Sequence, residues 1–415
     1  MYDVIVVGAR VAGASTALLL ARRGLKVLAV DRAEFPSDTL STHQVQVPGV
    51  ARLRRWGILD GVIEAGTPAA AEVRFDPGTV VLRGRFPEFE GASAVYSPRR
   101  TLLDKLLVDA ARAAGAEVRE RFAFDELVWD GDRVTGIRGR SAGSGAVSET
   151  ARLVVGADGR HSAVAKAVRA PAYRVVPALT TAYYTYWSGV ELGGGEIYGR
   201  QRCVQRLVGA WPTNDGLVMT YVAAPASEFH AFRADPEATI LAALDKCGDL
   251  GERVRAGARA ERVFGTADTR NRFHEPRGPG WALVGDAGLV MDPVTGAGIA
   301  DALRDAELLS DAVAAGLDGG PPLDQALAGY QAARDAAALP MYEMTIDLAS
   351  FAPPRPEQEM LVRALEGNQA EIDRFLSVLT GSLPGPEYFT ARNMLRLIGV
   401  RGLWQAVRSQ RKMRA

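Results

Sequence analysis

Cysteine is nearly absent from this 415-residue chain, which carries Cys203 and Cys247 and no third. Two cysteines so far apart exclude a disulfide framework and lack the clustering of a metal site, so both are expected to be buried structural thiols. Histidine is scarce as well, with four residues, of which His161, His230 and His274 show neither ligand spacing nor triad partners. No apolar run approaches the roughly 20 residues needed to span a membrane. The N-terminus runs straight into an apolar strand without a basic leader, so a cytoplasmic chain without a membrane span is expected. An excess of either charge is also missing, since 49 Lys and Arg balance 49 Asp and Glu at a sequence pI near 6.9. Bulk electrostatics therefore give no reason to expect a nucleic acid partner.

What is present is a globular composition, 47% hydrophobic and 24% charged, long enough for two intimately joined domains with a shared core. Val4 to Val7 suits a buried parallel strand, Ala14 to Arg23 a helix ending at Gly24, and Lys26 to Asp31 the next strand. Between them stands GARVAG, Gly8 to Gly13, a glycine-rich turn with Arg10 where G-x-G-x-x-G has its middle glycine. Gly8 permits the tight turn, Gly13 allows close helix packing, and the helix start offers amides to a pyrophosphate. Arg10 removes the close backbone approach, although its guanidinium could itself reach phosphate oxygens. Taken alone, the turn is either a cofactor loop or merely structural.

Further along, Leu102 to Gly115 reads as an amphipathic helix, followed by a strand at Glu117 to Val118 and a meander turning at Trp129 to Asp132 and at Ser141 to Gly145. LVVGADGRHS, Leu153 to Ser162, is another apolar strand with a glycine turn. From Tyr173 to about Val263 the segments alternate and are rich in aromatics, which suggests an antiparallel sheet in a second domain. Within TAYYTYW, Tyr184 and Tyr186 share one face, and Tyr183 and Trp187 the other. A helix-length stretch at Ala238 to Ala256 closes this part. GDAGLVMDPVTGAGIAD then resumes the first character, so the nucleotide-binding region is discontinuous. After Pro353 and Pro354 the chain reads as helices, ending in a basic amphipathic tail. Its apolar side, Trp404 included, is expected to pack against the protein with the arginines solvated, in preference to lying on an anionic membrane.

GARVAG, GADGRHS and GDAGLVMDPVTGAGIAD together resemble the FAD-dependent aromatic hydroxylases, the single-component class A flavoprotein monooxygenases, over residues 1–350. That resemblance implies an α/β fold: a Rossmann-like FAD-binding domain, an inserted antiparallel sheet for the substrate and a helical C-terminal segment. The FAD-binding parts would be 1–75, 96–172 and 265–350, the substrate-domain strands 76–95, the substrate sheet 173–264 and the helical segment 351–415. G-A-R-x-A-G is a form of the family's first loop, which implies FAD held by Gly8, Arg10, Val11, Ala12 and Gly13. Asp31, with Arg32 beside it, would hold the adenosine ribose.

By the same resemblance Arg100, in SPRRTLLDKL, would lie near the FAD phosphates or ribityl chain; a solvated Arg99 and Arg100 pair is the plainer alternative. Asp286 resembles the acid that bonds the ribityl oxygens, against a capping role. Pro293, Gly296, Ala297 and Gly298 would run past the isoalloxazine into a helix whose positive end suits the reduced ring. Asp158 and Gly159 match the motif used for both FAD and NAD(P)H, but Ala165 and Lys166 stand where an arginine often follows. Thr42 and His43, just before a helix at Val50 to Trp56, fall where the family covers the flavin. His43 and Pro293 are the candidates nearest the chemistry, although a lone histidine is often structural.

The implied reaction is reduction of FAD by NAD(P)H, formation of a flavin hydroperoxide with oxygen, and hydroxylation or epoxidation of an electron-rich aromatic or apolar small molecule by a monomer or homodimer. A halogenase would need a G-W-x-W-x-I-P motif and an early lysine, and none lies between Lys26 and Lys105. A prenyl-chain or other double-bond reductase and a non-catalytic FAD-fold binding protein are the remaining alternatives.

Overall fold

The structure is a computed structural model that describes residues 1–141, 145–199, 202–203 and 205–414, with the backbone alone at 403 and 405–414. Its first sheet is built on the β-branched run at the start of the chain. The strand Tyr2–Val7 lies between Gly145–Gly156 on one side and Val27–Val30 on the other, parallel to both. Trp281–Leu283 and Glu117–Arg119 extend it in the same direction. Val4, Ile5 and Val6 are fully buried, as a strand covered on both faces requires. The helix Val11–Ala21 packs between this sheet and the long helix Gly298–Leu317, which explains why ten of its eleven residues are buried. The meander strands Phe122–Asp130 and Arg133–Ser141 pair antiparallel with each other and lead into Gly145–Gly156. The second expected turn of that meander falls at 142–144, outside the described residues.

The second sheet is mostly antiparallel and runs Ala258–Arg259, Thr180–Ser188, Val218–Pro225, Leu207–Pro212, Gly195–Tyr198, Glu72–Asp76 and Leu82–Arg85. Glu72–Asp76 already belongs to it, ahead of the expected start at 76, and pairs parallel with Gly195–Tyr198. The period-two alternation of TAYYTYW holds in space. Tyr183 and Trp187 pack under the helices Pro236–Leu244 and Leu250–Ala256, while Tyr184 and Tyr186 join a separate cluster facing the first sheet's loops. Those helices replace the single helix expected over Ala238 to Ala256, because the chain turns between 244 and 250. Cys203 and Cys247 are buried behind this sheet as free thiols, their sulfurs 2.8 Å apart.

A small third sheet, Ala172–Val176, Asn271–His274 and Leu289–Val290, connects the two larger ones. The C-terminal part is helical, as expected, but its end departs from expectation. Met394 and Ile398 dock into the core, Gly399 breaks the helix Ala391–Arg414 with φ +68° and ψ −176°, and Trp404 beyond the break is 59% exposed. Beyond the break Gly402 is still buried against Ile398, but Val400 and Trp404 face outward, so Trp404 is not buried against the body. Among the described residues no helix is long and apolar enough to cross a membrane.

Candidate functional site

The first glycine turn is fixed by contacts that leave no room for side chains. Gly8 has φ +99°, and a Cβ there would lie 2.5 Å from the Ala157 carbonyl oxygen. At Gly13 a Cβ would stand 1.8 Å from the Gly8 oxygen, because the helix crosses directly over the turn. Asp31, at the end of the second strand, accepts the Ala9 N–H at 2.7 Å and the Ala33 N–H at 2.8 Å, tying the turn to its neighbouring strand. No side chain caps the helix that begins at Val11, so its first-turn amides, Ala12 and Gly13 included, remain available to an anion. Arg32 is exposed.

The Arg10 side chain is engaged with other parts of the protein. Its guanidinium donates to Asp104 at 2.7 Å, to the Ser37 carbonyl and hydroxyl at 3.2 and 3.0 Å, and to the Asp38 carbonyl at 3.1 Å. Asp104 is fully buried and also receives Arg100 through both carboxylate oxygens, at 2.9 and 3.0 Å. Arg100 is itself buried, and Arg99 lies 4.1 Å from the Tyr186 ring centroid while donating to Glu261 at 2.6 Å. A solvated Arg99 and Arg100 pair is thereby excluded: the helix Arg100–Ala113 turns both arginines inward, where Asp104 and Glu261 compensate them.

The two candidate acids differ in kind. Asp158 accepts from the Ser162 hydroxyl at 2.5 Å and from the Ala163 and Val164 amides at 2.6 and 3.2 Å, so its carboxylate is consumed in starting the short helix Ala163–Ala167. Gly159 follows it with φ +79°. Asp286 accepts no hydrogen bond from any described residue. Its surface is open to water although it lies deep within the protein, which describes the floor of a cleft. Burial raises its carboxyl above the usual range, against the opposing pull of Arg100, Arg160 and Arg272. Of the two acids it is Asp158, alongside the N-cap Ser162, that accepts from the first amides of a helix.

The loop after Asp286 is held at both ends. Asp292 accepts from the Thr180 hydroxyl at 2.7 Å and from the Val294 amide at 3.2 Å, while its own amide donates to the Asn271 side-chain oxygen at 2.6 Å. Burial pushes the Asp292 carboxyl up to about 6. On the far side Gln46 donates to the Thr295 carbonyl at 3.0 Å, and Gly296 takes φ +62° against Gln44. Pro293 opens the short 3-10 turn Pro293–Thr295, and Ala297 precedes the uncapped start of Gly298–Leu317.

His43 stands across from this loop, fully buried, at φ +57°, ahead of the helix Val47–Arg55, which starts earlier than expected because Pro48 sits in its first turn. Its Nε2 meets the Tyr186 hydroxyl, and Tyr184 lies edge-on at 6.0 Å between ring centroids. Nδ1 has no partner. Burial, reinforced by Arg100 and Arg99, holds the imidazole well below its ordinary 6.5, so it is neutral. Burial likewise raises the Tyr184 phenol to about 12 and Tyr186 higher still.

Of the residues expected from the sequence, the fold brings Arg100 within electrostatic reach of both His43 and Asp286, and it places Gly8, Gly13 and Asp31 together at the first turn. Sequence reasoning did not single out Asp104 or the two glutamines, and it left Arg99 as half of a solvated pair and Tyr186 as sheet packing or the wall of an apolar pocket. Asp104 was visible as an i, i+4 partner of Arg100; the others are joined only by the fold. No group of three or more His, Cys, Asp or Glu among the described residues could hold a metal.

These features fit an FAD: two glycines closed to any side chain, an uncapped helix start and an unpartnered carboxylate on a cleft floor. Comparison with protein families matches residues 1–187 to the FAD binding domain family. Among curated proteins, the chain is 28% identical over 322 residues to digeranylgeranylglycerophospholipid reductase of Methanosarcina mazei, covering 75% of this chain and 74% of that one. It is 29% identical over 363 residues to kynurenine 3-monooxygenase of Salinispora arenicola, covering 80% and 76%. Among solved structures, a flavin-dependent brominase superposes with a TM-score of 0.80 at 16% identity over 99% of both chains, a likeness of fold.

Proposed function

We propose that this chain, a flavoprotein of the class A FAD-dependent monooxygenase group, uses NAD(P)H and oxygen to hydroxylate or epoxidise an electron-rich aromatic or apolar small molecule. The observation that carries this proposal is the burial of Val294, from the Pro293–Thr295 turn, in one cluster with Tyr184, Tyr186, Trp211 and Met219. The loop assigned to the isoalloxazine therefore meets an aromatic wall. FAD, when bound, supplies hydride acceptance and the activation of oxygen. Gly8, Gly13, Asp31, Arg100 and Asp286 are the residues that would hold it.

The wall excludes water and orients an apolar ring. His43, neutral and fully buried, would act by position rather than by meeting the substrate: its Nε2 stands at the Tyr186 hydroxyl and holds that phenol in the wall. The uncapped start of Gly298–Leu317 offers its positive end to negative charge arising beside it. Support for NAD(P)H comes from a recess of about 150 Å³ lined by Arg160, His161, Asp268, Arg270 and Arg272. Three guanidiniums there provide the phosphate affinity that Ala165 and Lys166 lack.

A double-bond reductase is the second reading, favoured by the identity to the Methanosarcina reductase. Purified yellow protein should oxidise NAD(P)H with oxygen uptake matched to product when given phenols or indoles. Saturation of a prenyl chain by the reduced protein without oxygen, and no oxygenated product from the panel, would select the reductase. Colourless protein without turnover would reject both.

A further inference from the structure

The C-terminal helix has a charge and an exposure that neither the cofactor nor the substrate wall uses. Residues 391–415 contain six arginines, one lysine and no acidic residue, in a chain whose overall charge is zero. The other 390 residues therefore carry a net charge of −7, and the positive charge is concentrated at one end.

The helix is divided in function by the break at Gly399. Before it, Met394 and Ile398 are buried in the core, and Arg396 is held by Glu371 at 2.5 Å. After it, Val400 is 75% exposed, Arg401 is exposed and Trp404 is 59% exposed. Phe389 and Leu395, both more than two-fifths exposed, lie just upstream. Four of the ten large hydrophobic side chains exposed among the described residues thus fall within 389–404, so their exposure is concentrated rather than scattered. In the sequence, Val400, Leu403, Trp404 and Val407 follow the i, i+3, i+4, i+7 spacing of one helical stripe, with Arg401 and Arg408 beside it.

We infer that the segment after Gly399 is a docking surface for an anionic lipid bilayer, lying in the interface while the segment before it anchors the helix to the enzyme. The chemistry matches on both counts. Cations in a stretch of sequence without acidic residues are drawn to anionic headgroups, and an indole among aliphatic side chains partitions to the boundary between headgroups and acyl chains. A nucleic acid would satisfy the arginines but not Val400 and Trp404.

The test uses the full chain, flavin-loaded, in flotation against vesicles of phosphatidylcholine alone and of phosphatidylcholine mixed with phosphatidylglycerol. The protein should float with the mixed vesicles, remain behind with the neutral ones, and release as salt rises. Val400→Ser with Trp404→Ser, and separately Arg401→Glu with Arg408→Glu, should each weaken partitioning by at least about tenfold. Both double variants should keep the parent's melting temperature and flavin absorbance. Failure of the parent to float with anionic vesicles would overturn the inference. So would floating that neither pair of substitutions changes, binding to duplex DNA in place of vesicles, or a concentration-dependent dimer that Val400→Ser with Trp404→Ser dissolves.

Discussion

Asp158 and Asp286 look alike in sequence, each an acid after an apolar strand and beside a glycine, yet replacing them should produce opposite phenotypes. Asp158 accepts three hydrogen bonds that begin the Ala163–Ala167 helix. Asp158→Ala removes them, and a lost helix-starting acceptor costs roughly 1 to 2 kcal/mol of folding stability. Asp286 accepts none, so Asp286→Ala removes no folding hydrogen bond. Its carboxyl is raised by burial, which means that the folded protein binds a proton more tightly than the unfolded chain does. Stability from this group is therefore present at low pH and falls as pH rises past the ordinary carboxylate value. At neutral pH the apoprotein of Asp286→Ala should be at least as stable as the parent.

Flavin affinity should move the other way. A hydrogen bond from a ligand hydroxyl to a buried carboxylate is worth about 1.5 to 3 kcal/mol, or roughly 10- to 150-fold in Kd. Urea unfolding of the apoproteins gives the stabilities, and equilibrium dialysis against FAD gives the affinities. Asp286→Ala should lose flavin and keep its fold; Asp158→Ala should lose stability and keep most of its affinity. Equal flavin affinity in the two variants, or an unstable Asp286→Ala apoprotein, would refute the assignment of Asp286 to the cofactor.

Gly13→Val should leave protein without flavin absorbance and destabilised by at least about 3 kcal/mol, since its Cβ would stand 1.8 Å from a backbone oxygen that cannot rotate away. A yellow Gly13→Val protein of parental stability would contradict this. Asp292 should impose a pH dependence on stability. With its carboxyl moved from 3.8 to about 6, the parent should lose up to about 3 kcal/mol relative to Asp292→Asn as pH rises from 4 to 7. Denaturation of both proteins at the two pH values measures the difference, and a pH-independent gap would show that Asp292 does not titrate as described.

The parts of the fold governed by local periodicity were legible. The strand, turn and helix of the first unit follow from a β-branched run, two glycines and a helix of small and apolar residues. The opposite facing of Tyr183 and Tyr184 follows from period two. What was not legible depends on which distant groups the chain brings together. For Asp158 the signal was local, since Ser162 and the two amides lie four to six residues further on, whereas the surroundings of Asp286 are set by Arg100, Arg160 and Arg272 from elsewhere in the chain. His43 could be placed before a helix, but its neutrality comes from burial beside arginines some 55 residues away in the chain. Trp404 was expected inside because its helix is amphipathic, and Gly399 alone changes the direction of that helix.

The missing middle glycine of GARVAG has a conformational explanation that leads to one more expectation. Arg10 sits at φ −83° and ψ −164°, an extended backbone open to any residue, whereas the steric demand falls on Gly8 and Gly13. Its side chain leaves the turn altogether to join Ser37, Asp38 and Asp104, with Phe35 5.6 Å beneath the guanidinium. Arg10→Gly should therefore preserve the turn and release the 35–39 segment. Asp104 would still be compensated by the bidentate Arg100, so the loss should be about 2 kcal/mol rather than the 3 to 5 kcal/mol of an uncompensated buried charge. Limited proteolysis should cut faster near Ser37, while the Kd for FAD stays within about threefold of the parent, an energy difference below 1 kcal/mol. Loss of FAD affinity by tenfold or more, with unchanged cleavage near Ser37, would mean that Arg10 contacts the cofactor phosphates after all.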